Sequence, residues 1–422
     1  MADTIEFQFY SPTLGTLDLT ASFGTYQYAL YGAQFGMATP ATTAVNALVG
    51  QSLTFSGFDV RDDASFYLGV QPKTTGDGSA AADGVAAVER WHRATDAEFR
   101  YKPKNGAWSC WPIITDPARR RGGLSVKAVQ APAGGIDVAT DEWNHSWRWV
   151  QITMHTHPFA RAKDAVTSTV ALASSVGSLA VTGSGDAAAT VTLSGGALHE
   201  CVVYVAPDLP GFSPLCRGHM DAGGATVSRT GEPAFYSTTW RAISGRTITK
   251  PASELPVGGG YVMVAHLYNS GGSDATVAIP LTVTANGVTS TAVSRSVTIP
   301  AGGTFWGGIA GFYIPKPTGD VALTFGTASG VYVDEPFVFP MGPDASLSLF
   351  DAGSLTTATI ASPQTANETG SLDVGTVIES DWPVLTDETM TVVAASAGVA
   401  IPTCQVGYRP AFLTFATGED PT

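Results

Sequence analysis

The chain has 422 residues, of which 44% are hydrophobic and only 14% charged, with a formal net charge of −14 and a pI near 4.8. At ~150 residues per domain this length predicts two or three domains, and a charged fraction well below the usual ~25% suits an exterior that meets other proteins. The acidic balance excludes nucleic-acid binding by a broad basic face. No apolar run reaches the ~18 residues of a membrane-spanning helix. The opening Met1-Ala2-Asp3-Thr4-Ile5-Glu6-Phe7 carries no basic, then apolar, secretory pattern. Cytosolic synthesis is therefore expected, with Cys110, Cys201, Cys216 and Cys404 reduced and packed as small apolar residues. A Cys201–Cys216 bridge is the pairing left open.

In chain order, the first 165 residues carry more aromatic and charged side chains than the rest. A Gly/Ser/Ala/Asp stretch from Thr74 to Ala82 reads as a mobile loop. The single helix is expected from Asp83 to Thr95, with Asp83 as N-cap and Val88 and Trp91 sharing one face. Arg119-Arg120-Arg121 reads as a solvated turn or a contact for an acidic partner. Beyond Ala162 to Thr169 the text turns to small and β-branched residues. Strands are predicted at Ala189–Leu193, Cys201–Val205, Tyr261–Ala265, Ala278–Thr284, Ser296–Ile299, Val321–Phe325 and Val331–Val333. Asn286-Gly287 marks a type I′ hairpin turn. The fold class expected is mainly β, with a β-rich α+β N-terminal domain followed by β-sandwich domains of jelly-roll or galectin-like type. The boundaries fall at 1–165, at 166–257 together with 346–422, and at 258–345.

Several residue patterns suggest chemistry. His155-Thr156-His157-Pro158, downstream of Glu142 and His145, would put two imidazoles on one strand face and so toward zinc. Asp164 does not complete the Ser-x-x-Asp element that such a peptidase needs. Nucleophile-elbow, His-Glu-x-x-His, Walker and dinucleotide-binding signatures are absent. His92, His145, His199, His219 and His266 are isolated and read as packed or surface residues. Asp334 and Glu335 would serve glycoside hydrolysis only across a cleft, and otherwise read as a solvated or loop feature. No enzymatic activity and no cofactor are expected. Phe305-Trp306, Phe312-Tyr313 and Tyr332 are either sandwich core or a platform for sugar rings. In the second case Trp306 and Tyr313 would stack on the sugar while Asp334 accepts its hydroxyls.

The run from Trp143 to Ala162 (Trp-Asn-His-Ser-Trp-Arg-Trp-Val-Gln-Ile-Thr-Met-His-Thr-His-Pro-Phe-Ala-Arg-Ala) resembles the end of the N-terminal domain of siphophage distal tail and minor tail proteins, particularly of actinobacteriophages. The helix and the turn at Arg121-Gly122-Gly123 fit the same layout. Asp381-Trp382-Pro383-Val384-Leu385 and Tyr408-Arg409-Pro410-Ala411-Phe412-Leu413 look like the closing segment of those proteins. Gly258 to Pro340 resembles a jelly-roll carbohydrate-binding module on Gly260–Ala265, Ser296–Pro300 and Gly330–Glu335. The resemblance implies a virion protein of the tail tip or baseplate, a hexameric belt joining the tail tube to the tip, with other tail proteins as partners. Trp149, Pro158, Phe159, Trp382 and Pro383 are then structural positions. The alternative is a receptor-recognition tail protein that binds host cell-wall glycan.

Overall fold

The computed structural model describes residues 6–20, 26–34, 38–47, 51–72, 78–94, 96–113, 124–127, 148–156, 159–342, 344–362, 370–373 and 375–412. The chain is mainly β, as its alternating and β-branched runs predict, and one α-helix stands among the described residues.

The first unit opens with β1 (Glu6–Ser11), β2 (Gly15–Asp18), β3 (Tyr26–Gln34), β4 (Ala38–Ala47) and β5 (Gln51–Pro72). Helix α1 (Gly78–Arg93) follows, then β6 (Glu98–Lys102), β7 (Ser109–Pro112), β8 (Leu124–Lys127), β9 (Arg148–Thr156) and β10 (Ala160–Ala162). The helix starts five residues before the expected N-cap, so 78–82 is helical rather than loop. Ser79-Ala80-Ala81-Ala82 explains this, because alanine carries no side-chain entropy cost in a helix. Arg90, His92 and Arg93 in its last turn complement the helix dipole. One sheet runs β2-β1-β6-β7-β10, and another runs β3-β5-β9-β8 with β4 on β5. Phe7, Phe9, Leu19, Tyr28, Val70, Val88, Phe99 and Trp111 pack together as the unit's core.

The second unit begins with β11 (Val166–Val170), β12 (Val176–Ala180) and the long β13 (Ala187–Pro207). The chain then leaves it and builds a third unit from β14 (Thr226–Ser228), β15 (Thr239–Ala242), β16 (Thr247–Lys250), β17 (Gly259–Asn269), β18 (Ala275–Ala278) and β19 (Leu281–Ala285). This unit continues with β20 (Val288–Thr291), β21 (Val293–Ser294), β22 (Ser296–Ile299), β23 (Thr304–Ile314), β24 (Val321–Phe325) and β25 (Val331–Met341). Its sheets are β14-β15-β25-β17-β23-β21, β16-β24-β19-β20 and β18-β22. Strands β14 to β16, grouped by the sequence with the second unit, thus pair inside the third. Sheet partners lie far apart along the chain, so a Pro/Gly-rich stretch such as Pro251 to Gly260 need not end a unit. Asn286 and Gly287 have φ of 52° and 76°, and the flanking Ala285 and Val288 pair, which is the expected I′ hairpin.

From the third unit the chain returns through β26 (Ser346–Ala361), β27 (Ser371–Leu372), β28 (Thr376–Ser380), β29 (Val384–Leu385), β30 (Thr389–Ser396), β31 (Thr403–Tyr408) and β32 (Ala411–Phe412). The third unit is therefore inserted into the second. Strand β13 pairs with β31 through Ala189–Ser194 and with β30 through Cys201–Pro207, while β26 follows it along both halves. Irregular register between Ser194 and Glu200 bends this pair, so both layers of the sandwich share the same two strands. Val191, Leu193, Val203, Val205, Phe350, Ile360, Val392 and Val406 fill the space between. At the end, β32 pairs with β10 and ties the second unit to the first.

The two halves of β13 show why the inserted unit is held firmly. Its first half alternates buried and half-buried residues, as expected of a strand with one wet face, whereas Cys201–Ala206 is buried throughout. Val203 and Val205 enter the sandwich core, while Val202, Tyr204 and Ala206 point outward to meet Val264, Trp306, Phe337 and Phe339. The Tyr204 hydroxyl donates to the Pro340 carbonyl at 2.7 Å, and Trp306 Nε1 donates to the Cys201 carbonyl at 3.2 Å.

Candidate functional site

The three residues expected to touch glycan do not share a surface. Trp306 is 6% exposed and packs among Phe235, His266 and Phe337 in the seam between the second and third units. A ring so placed offers no free face to a sugar. Asp334 is fully buried, and its carboxylate accepts the backbone N–H groups of Phe235, Tyr236 and Ser237. It holds the 235–237 loop rather than a ligand. Tyr313 alone is at the surface, 65% exposed.

Asp334 and Glu335 also depart from the loop reading, since both lie within β25 and beneath the 214–220 segment. Glu335 accepts the N–H groups of Cys216 at 2.7 Å and Arg217 at 2.8 Å. The Arg217 guanidinium donates to the Asp334 carbonyl at 2.7 Å. Burial pushes the Glu335 carboxyl up to about 8, against the opposite pull of those two N–H donors. Unfolded, the group would titrate near ~4.3. Between these values the folded chain holds a proton that the unfolded chain lacks, so Glu335 favours folding most at low pH and less as pH rises toward 8. Glu335→Gln keeps an acceptor oxygen and removes the titration. Thermal unfolding from pH 5 to 8 is expected to show a shallower decline in Tm for this variant than for the parent, and parallel curves would refute the assignment.

Of the positions singled out by the tail-protein resemblance, Phe159 and Pro383 are buried and Trp382 is half-buried. Trp149 lies in β9, in register with Gly69 on β5 and Lys127 on β8. Phe159 is buried in the sandwich core, with its ring against Gly185, where a Cβ would approach to 2.6 Å. The Trp382 ring lies over Gly370 and packs on the same core. The buried Pro383 offers its carbonyl to Ala189 N–H and to the Ser362 hydroxyl. Pro158, His157, Glu142, His145 and Arg119 to Arg121 lie outside the described residues. His155 falls in β9. Among the described residues no three His, Cys, Asp or Glu side chains are grouped to hold a metal. All four cysteines are buried and free.

Two surfaces escaped the sequence reading. The first is an arm. β5 pairs with β3 through Ser65–Pro72 and with β9 from Arg61 to Val70, whereas Gln51 to Phe58 pair only with β4 among the described residues. A two-stranded ribbon therefore runs roughly 25–30 Å beyond the sheet at ~3.3 Å per residue. Between Asp18 and Asp59 the sequence contains no Asp, Glu, Lys, Arg or His. The run was visible in the sequence, but its meaning depends on the pairing.

The second surface is a cleft of about 500 Å³ where β25 passes into β26, lined by Met341, Asp344, Asp381 and Trp382 with Asp186 at the foot of β13. Burial, then the neighbouring Asp344, raises the Asp186 carboxyl above its ordinary range. Burial, then Glu379, does the same to Asp381. Asp186 and Asp381 stand far apart in sequence, so no spacing rule could have joined them.

No family model matches the chain, and no curated protein matches it. Among solved structures it is similar to the Dit protein of phage SPP1, described as a paradigm of the hub adsorption apparatus in phages infecting Gram-positive bacteria. That likeness has 9% identity over 96% of this chain and 99% of that one, at a TM-score of 0.34. An exo-β-1,3-galactanase from Phanerochaete chrysosporium has 8% identity over 72% of this chain and 69% of that one, at a TM-score of 0.18. A structure of infectious bursal disease virus, Gt strain, has 9% identity over 58% of this chain and 80% of that one, at a TM-score of 0.14. At these TM-scores the likenesses carry no argument about fold or function.

Proposed function

We propose that this chain is a structural component of a tailed-phage tail tip, a distal tail protein that assembles with copies of itself into a ring joining tail tube to tip. The observation that carries the reading is the β4–β5 arm. An isolated two-stranded ribbon is marginal in water, and soluble proteins protect exposed strand edges with charge. Among the described residues this arm pairs with no further strand, and it carries no charge, which suits a ribbon that completes its sheet on another chain. Closed rotation of such heterologous contacts gives a ring. The resemblance of 143–162 and of 381–413 to siphophage tail proteins supplies the setting: the virion, with neighbouring tail proteins as further partners.

The test is the mass and symmetry of the purified chain, by light scattering and negative-stain imaging. A ring, sixfold on this reading, is expected. Thr42→Lys with Thr54→Lys puts charge on both arm strands and is expected to leave monomers with unchanged thermal stability. A parent chain that stays monomeric alone and with a purified tail tube, or a ring indifferent to both lysines, would overturn the proposal.

A further inference from the structure

We propose that Asn105 is a covalent modification site, at which the backbone nitrogen of Gly106 displaces the side-chain amide nitrogen as ammonia, and that the same dipeptide at Asn286 is protected. The sequence contains two Asn-Gly pairs, Asn105-Gly106 and Asn286-Gly287. Glycine makes such a pair labile, because no side chain obstructs the approach of its nitrogen to the asparagine Cγ. That nitrogen loses its proton and bonds to Cγ, while the carboxamide nitrogen takes up a proton and leaves as ammonia. Water then opens the five-membered imide at either carbonyl, which yields aspartate or isoaspartate. Solvent supplies the water and exchanges every proton, so the sequence of steps balances without another reactant.

The two pairs are alike in backbone and unlike in side chain. Both asparagines are exposed and lie in the left-handed region, Asn105 at φ 59° and Asn286 at φ 52°. The Asn286 carboxamide is held at both ends. Its Nδ2 donates to the Lys316 carbonyl at 3.0 Å, and its Oδ1 accepts the Thr318 N–H at 2.8 Å and the Thr318 hydroxyl at 2.9 Å. These bonds tie the β19–β20 turn to the loop between β23 and β24, and Cγ cannot swing toward Gly287 until they break. The Asn105 carboxamide makes no hydrogen bond among the described residues. At this pair only the Gly106 N–H is engaged, donating to the Pro103 carbonyl at 3.0 Å. That bond closes a turn whose third residue, Asn105, has the positive φ of type II. The same turn demands glycine next, since a Cβ on Gly106 would come within 2.3 Å of the Pro103 ring. Packing thus keeps the labile pair in place. Conversion puts a carboxylate in the turn joining β6 to β7, the middle strands of their sheet, and makes the chain one unit more negative than its formal −14. The isoaspartyl product also lengthens the main chain of that turn by one carbon.

The test is peptide mapping by mass spectrometry of the full chain after weeks in mildly alkaline buffer made with heavy-oxygen water, which marks conversion before digestion. Asn105 is expected to convert about tenfold faster than Asn286, the factor given by the two further hydrogen bonds that Asn286 must break at ordinary net strength. In guanidinium the two rates should converge, because the fold no longer distinguishes the pairs. Thr318→Ala, at an exposed position, removes one of the three bonds. It is expected to speed Asn286 several-fold and to leave the Asn105 rate and the thermal transition unchanged. Asn286 converting as fast as Asn105 in the folded chain, or an Asn105 that stays intact until the chain is unfolded, would overturn the proposal. So would a Thr318→Ala variant with the parent's rate at Asn286.

Discussion

Replacing Trp306 with alanine is expected to lower the unfolding free energy by about 3–5 kcal/mol, the range for truncating a large buried aromatic. The ring is held on one side by Phe235 and Phe337 of its own unit and on the other by the outward face of β13. Its removal leaves a cavity in the seam and the Cys201 carbonyl without its indole donor. The measurement is chemical denaturation of parent and variant, read by fluorescence and by proteolysis between Pro207 and Thr226. Easier cleavage there would show the inserted unit loosening before the sandwich melts. A loss below about 1 kcal/mol would place the ring at the surface and reopen its reading as a sugar platform.

Arg409→Met is expected to cost about 3 kcal/mol, near the lower end for breaking a buried ion pair. Arg409 follows β31 and reaches into the first unit, where its guanidinium pairs with Glu98 and donates to the Ala162 carbonyl at 2.9 Å. Glu98 keeps a second partner, Arg100, at 3.1 Å, which limits the loss. Burial alone would raise the Glu98 carboxyl, but the Arg409 hydrogen bond and charge, then Arg100, hold it below its ordinary value. Its folded value is thus lower than its unfolded one. The contribution is full above the unfolded value near ~4.3 and is lost as pH falls through the folded value. Denaturation at pH 7 and at pH 3 should show the gap between parent and variant narrowing in acid. An equal gap at both would mean that the arginine acts through packing alone.

What the sequence disclosed follows from how local each feature is. Ala278–Thr284 alternates and ends in Asn286-Gly287, and neighbouring residues alone settle that hairpin. Helix α1 was legible as an element but not at its start, because the alanines before Asp83 sit among glycine and serine that resemble a loop. Trp306 and Tyr313 share one strand and looked alike as candidates. A bulge between Met263 and Val264 against β23 keeps them on the same outward face, and only the neighbouring sandwich decides that one is buried and the other free. Asp334 and Glu335 looked solvated for the same reason: the segments that cover them, at 235–237 and 216–217, lie 97 to 119 residues earlier. The cleft and the arm were out of reach because each is made by pairing, not by composition.

The insertion also fixes how the molecule answers to pulling. β13 leaves the sandwich and β26 re-enters it side by side, with Val205 opposite Ser346. Traction on the inserted unit draws both strands the same way, so their mutual hydrogen bonds feel no sliding. The load passes instead to β30 and β31, which clasp β13, and to β28 on the far edge of β26. Force applied at the periphery is thus spread over three antiparallel neighbours in shear before any single ladder opens.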